Sequence, residues 1–138
     1  MVSTTVDTLI RAPREQVYKL FVERDALSGR LPIDITLLTP GAPEPSGVGA
    51  VYQLGKFGLG AKEQTTELVP NERMEYKVVG GLPVRNHVGT VTFTDAPEGT
   101  LVSYRMVSEP SLPAPAFAVQ ALLRTLIKQF LSAAKKAV

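Results

Sequence analysis

The first ten residues alternate. "VSTTVDTLI", residues 2 to 10, sets Val2, Thr4, Val6, Thr8 and Ile10 on one side and Ser3, Thr5, Asp7 and Leu9 on the other. A period of two with β-branched enrichment predicts a strand. In "RAPREQVYKLFVE" the period lengthens: Pro13 suits a first helical position, Glu15 a first turn, and Val17, Leu20 and Phe21 recur at helical spacing. A short helix is expected there, and Gly29 and Pro32 end the segment after it. Six short segments come next, "IDITLLTPG", "VGAVYQL", "AKEQTTELVP", "ERMEYKVVGG", "HVGTVTFTD" and "TLVSYRMVSE", parted by Gly, Pro, Asn and Asp. Tight connections with no helix between them predict an antiparallel meander. "VPNE" at 69 to 72 and "DAPEG" at 95 to 99 are turn signals, and Gly99 can take the positive φ that a hairpin often demands. After "EPSLPAP", residues 116 to 137 contain neither Pro nor Gly, and Val119, Leu122, Leu123, Leu126, Phe130, Ala133, Ala134 and Ala137 fall on one face. This long amphipathic helix needs an apolar surface, which a curved sheet supplies.

Alternation also assigns faces, provided no bulge intervenes. In "HVGTVTF" His87, Gly89, Val91 and Phe93 form the more apolar set and are placed inward. Met74, Tyr76 and Val78 oppose Arg73, Glu75 and Lys77; Val102, Tyr104 and Met106 oppose a set containing Arg105. Tyr76, Tyr104 and His87, the only histidine, are thus expected on one concave surface, with Leu122, Leu126 and Phe130 of the helix as its floor. Tyr52 alternates inward as well, while "AKEQTTEL" is polar on both faces, which fits an edge strand or a wet wall.

Composition limits what such a surface does. At 138 residues, 44% hydrophobic and 20% charged, the chain suits one globular unit. With 7% aromatics and no Trp, it has few bulky groups to fill the interior, so an unfilled hollow between helix and sheet is expected. The net charge of +2 is dispersed, which argues against nucleic acid. No apolar run approaches the roughly 20 residues of a membrane span, and the N-terminus lacks a leader pattern, so no stable membrane insertion and a cytoplasmic location are expected. One His and no Cys offer no metal cluster, and no cofactor is implied. "GKFGLGAK" at 55 to 62 lacks the spacing and ending of a phosphate loop; a hairpin turn suffices, with Phe57 and Leu59 as a lip of the cavity.

The order strand, short helices, six-stranded meander, long C-terminal helix resembles the helix-grip fold. The chain is similar in particular to the bacterial polyketide cyclase/dehydrase branch of the SRPBCC superfamily of START-like lipid-transport domains. The resemblance rests on "IRAPREQVY", "GVGAVYQL", "ELVPNERMEYKV", "GLPVRNHVGTVTF" and "EGTLVSY", which together span nearly the whole chain. It implies an α+β fold, one domain over residues 1–138, with a curved seven-stranded antiparallel sheet around the C-terminal helix and a cavity for a small, largely apolar molecule.

Two functions are compatible with that cavity. The first is binding or transport of a lipid, polyketide or isoprenoid-like ligand, lined by Met74, Tyr76, Val78, His87, Val91, Phe93, Tyr104, Met106, Leu122, Leu126 and Phe130. Pockets of this kind are mostly apolar with a few placed polar groups. The second is a cyclase or dehydratase with His87 as acid/base and Tyr76 or Tyr104 polarising a carbonyl. No partner carboxylate is evident beside His87, so the non-catalytic reading leads. A partner-binding module would instead use Arg73, Lys77 and Arg105 on the outer face.

Overall fold

The computed structural model describes residues 1–56 and 59–138, and for Leu59 its backbone alone; Phe57, Gly58 and the Leu59 side chain, which carry the expected lip, lie outside the described residues. Strand β1 (Val2–Ile10) leads to helix α1 (Arg14–Val22) and a short 3-10 turn, η1 (Arg24–Leu27). Six strands come after it: β2 (Asp34–Thr39), β3 (Val51–Lys56), β4 (Leu59–Val69), β5 (Arg73–Gly80), β6 (Val84–Ala96) and β7 (Gly99–Pro110). Helix α2 (Ala116–Ala137) ends the chain. All seven strands form one curved antiparallel sheet in the order β1-β7-β6-β5-β4-β3-β2. Consecutive strands pair as hairpins from β2 to β7, and β1 closes onto β7.

The turns carry the chemistry their sequences promise. Asn71 takes φ 61° in the β4–β5 turn, where Glu72 N–H donates to the Val69 carbonyl at 3.0 Å. Gly99, at φ 150°, starts β7 where a Cβ would stand 2.3 Å from the Ile10 carbonyl oxygen. Any side chain there would push β7 off the end of β1.

The core lies between the concave face of the sheet and α1, η1 and α2. Helix α2 packs chiefly along β1, where Gln120 Nε2 donates to the Ser3 carbonyl at 3.0 Å. Its buried residues are Leu123, Ile127, Phe130, Leu131, Ala133 and Ala134. Leu122 is the correction: it is 59% exposed and does not line the interior. Apolar residues at 122, 123, 126 and 127 cover a wide arc, and the helix is turned so that Leu123 and Ile127, rather than Leu122, face the core. Leu126 is half-buried against the core and Phe130 is buried. Among the described residues, no helix is long and apolar enough to cross a membrane.

Candidate functional site

The inward rows of β5, β6 and β7 form one half of the concave wall. Met74 and Tyr76, then His87, Val91 and Phe93, then Val102, Tyr104 and Met106 are all buried, as their alternation predicts. Val78, near the end of β5, is half-buried. Register brings the phenols together. Tyr76 lies opposite Gly89, and Val91 opposite Tyr104. Gly89 is what admits the Tyr76 ring, because a Cβ there would sit 2.2 Å from its Cζ. The room that Gly89 leaves on the inward face is therefore occupied by Tyr76.

The Tyr76 and Tyr104 hydroxyls form a short hydrogen bond, and their rings meet edge to face at 6.4 Å. Burial, with Tyr104 and Glu63 adding to it, holds the Tyr76 phenol well above its ordinary pKa. Burial likewise raises Tyr104, against the pull of Arg24. Both phenols stay protonated at neutral pH, able to donate.

The other half of the wall, on β3 and β4, is disclosed by alternation only at Tyr52. Tyr52 is buried inward on β3 and its hydroxyl donates to the Val22 carbonyl at 3.4 Å. β4 is an interior strand whose inward row includes Glu63 and Thr65; a register shift between Thr65 and Glu67 then turns Glu67 outward. Facing Glu63 is Arg24, from η1. Arg24 is 4% exposed and Glu63 6%, and Arg24 Nη2 pairs with Glu63 Oε1. The guanidinium lies 4.3 Å from the Tyr76 ring centroid, in cation–π geometry, and 6.0 Å from that of Phe130. Burial would lower the Arg24 pKa, but Glu63 and the two phenols outweigh it, and the group lies above its ordinary value. A guanidinium at this position is charged at any working pH.

Sequence reasoning missed Arg24. Its one signal is indirect: an inward Glu63 demands a buried cation, and nothing in the sequence says which of the 15 Lys and Arg supplies it. Two buried polar atoms facing this region have no hydrogen-bond partner among the described residues, Arg24 Nη1 and Thr65 Oγ1.

His87 points inward, with Nδ1 3.1 Å from Ser108 Oγ. Burial lowers its pKa, Glu63 raises it and Arg24 lowers it, leaving it below the ordinary imidazole value and neutral at pH 7. Its hydrogen-bond partner is Ser108 rather than either phenol. Among the described residues, no three His, Cys, Asp or Glu side chains gather as a metal-binding group. On the outer face, Arg73 pairs with Glu67 at 3.2 Å and Glu75 at 2.8 Å, while Lys77 and Arg105 are exposed.

The expected hollow is nearly full. The space enclosed by Phe21, Arg24, Leu27, Tyr76, Tyr104 and Phe130 amounts to about 10 Å³, at most the room of one water. The Arg24 side chain, with Phe21 and Leu27, takes up volume that a count of aromatics could not foresee. Outside, by contrast, a cleft of about 460 Å³ opens between η1 and the β2–β3 connection, with Tyr52 among its lining. η1 lines both spaces, presenting Asp25 and Ala26 to the cleft and Arg24 and Leu27 to the interior.

Solved structures share this architecture. XoxI from Bacillus cereus is 22% identical with a TM-score of 0.79, over 99% of this chain and 95% of that one. A START superfamily protein from Mycobacterium smegmatis is 17% identical with a TM-score of 0.79 over the same shares. A Bacillus thuringiensis protein is 23% identical with a TM-score of 0.74, over 99% of this chain and 98% of that one. No curated protein matches closely enough to count as a relative. The START-like fold is consistent with a cavity for a hydrophobic ligand. The family described as polyketide cyclase/dehydrase and lipid transport matches residues 1–138, the full chain, and the protein belongs to that family.

Proposed function

We propose that residues 1–138 act as one unit that binds a small, largely apolar molecule between the concave sheet and its covering helices, without covalent chemistry. The observation that carries this reading is the convergence of a few buried polar groups, Arg24, Tyr76 and Tyr104, on a wall otherwise built of Met74, Val91 and Phe130. Apolar burial supplies the affinity, at roughly 25 cal/mol per Å² of apolar surface removed from water, and the phenols set orientation. Val78, Phe93, Met106 and Leu126 extend the wall around that seat, and His87 stands behind it against Ser108.

Because about 10 Å³ stands empty, the ligand enters an interior that expands. η1 is a single short turn between the interior and the outer cleft, so its outward movement joins the two spaces. Met74 and Met106 adapt their shape to the occupant. Binding rather than His87-dependent cyclisation is favoured, since His87 bonds to Ser108 and does not line the remaining space.

The test is a thermal-shift screen with a library of uncharged apolar molecules, alongside native mass spectrometry of the purified protein. A bound ligand at about 100 times its Kd adds about 2.7 kcal/mol of stability and raises Tm by several degrees. No shift across the library together with no co-purified ligand overturns the reading.

A further inference from the structure

The seat carries information about the ligand's charge. Arg24 and Glu63 form a buried pair whose charges sum to zero, yet Arg24 Nη1 retains donors with no partner, in a residue 4% exposed at the edge of the remaining space. A buried donor left unmade is costly, and an oxygen acceptor on a ligand removes that cost. A carboxylate would also accept from Nη1, but it brings a negative charge that the pair, already balanced by Glu63, does not neutralise. In the bonded pair of protonated phenols, Tyr76 and Tyr104, the one that accepts keeps its own O–H to donate to a carbonyl, without requiring charge on it. The outer cleft adds an independent bias: among the described residues its charged lining is Glu23, Asp25 and Glu44, with no Lys or Arg, so an approaching anion is repelled there.

We infer that the interior selects uncharged apolar molecules bearing a carbonyl oxygen, such as ketones, quinones or esters, held by Arg24 Nη1, and rejects free carboxylates of the same chain length. This rests on the ligand-binding reading above and narrows it. Arg24 is the specificity-determining residue, and Glu63 sets the sign of the selection by cancelling its charge.

The test uses three twelve-carbon probes, a methyl ketone, the alkane and the carboxylate, titrated by calorimetry into the intact chain. The ketone is expected to bind at least about tenfold tighter than either of the others, the effect of one charge-assisted hydrogen bond. In Arg24→Met the ketone falls to the affinity of the alkane. A second measurement needs no variant: the carbonyl stretch of the bound ketone moves to lower frequency in the wild type, as a strong donor requires. A carboxylate binding as tightly as the ketone, or a ketone bound with its stretch at the value for an apolar solvent, overturns the inference while leaving ligand binding intact. Failure of all three probes, and of larger neutral ketones, overturns this inference, and the binding reading falls with it when the apolar library and native mass spectrometry are blank as well.

Discussion

The two halves of the concave wall are built on different rules. On β5, β6 and β7 the inward row is regular and mostly apolar, and most of its polar members meet one another or a neighbouring strand, Tyr76 with Tyr104 and His87 with Ser108, while Thr100 donates to the Ala12 carbonyl. On β3 and β4 the inward row includes Glu63, Thr65 and Tyr52, and its partners come from the helical segment: Arg24 of η1 and the Val22 carbonyl of α1. The first half pairs its polar groups mostly within the sheet and meets the segment after β1 at Thr100 and over the Tyr76 ring, while the second draws its charged partner from that segment. The difference teaches that a strand polar on both faces can sit mid-sheet, provided a charge from elsewhere covers it.

Breaking the second half has the largest expected effect. Glu63→Ala leaves Arg24 as an uncompensated buried charge and lowers stability by about 3–5 kcal/mol in urea denaturation. The double change Arg24→Met with Glu63→Leu, which makes this half resemble the other, returns stability to the wild-type level or above it. A single change costing no more than a surface substitution would erase the contrast.

Next in size is the first half, at Gly89. Gly89→Ala forces Tyr76 off its position and costs about 1–3 kcal/mol, with a changed near-ultraviolet circular dichroism spectrum from the displaced tyrosine. Tyr104→Phe removes the hydrogen bond between the phenols, at about 1 kcal/mol. It also alters the alkaline limb. The folded phenols have raised pKa values, so above about pH 10 the unfolded chain loses protons first and stability falls as pH rises. With one such phenol gone, that fall is shallower.

The smallest effect is at His87. Its folded pKa lies below the ordinary value near 6.5, so the unfolded chain takes up the proton first as the solution is acidified. Its contribution is fully present above about pH 6.5 and is lost as pH falls from there to the folded pKa, with a slope of at most about 1.4 kcal/mol per pH unit. As the sole histidine, it makes this limb separable: His87→Gln flattens it between pH 6.5 and the carboxylate range.

The fold was legible in the sequence because each strand but one alternates cleanly and each turn carries its own chemistry, as at Asn71 and Gly99. The pairing of Tyr76 with Tyr104 was foreshadowed by their shared face. Three features were not legible. The β4 bulge exchanges Glu67 for Leu68 on the inward side without any Gly or Pro to mark it. The apolar arc of α2 is too wide to fix its rotation, which misplaced Leu122. Arg24 comes after a helix in a polar stretch, and only a long-range contact with Glu63, 39 positions away (63 minus 24), reveals that it is buried.

The pairing of β1 with β7 sets when this protein can become itself. Val2 lies opposite Ser108, and Ile10 opposite Thr100, so the opening strand finds its place only after some hundred further residues exist. Contacts so distant in sequence make folding slow, because chain closure must precede the reward. Until β7 exists β1 has both edges unpaired, because its place in the sheet is beside β7. An unpaired strand edge is a template for mispairing, so β1 is open to it until β7 covers it.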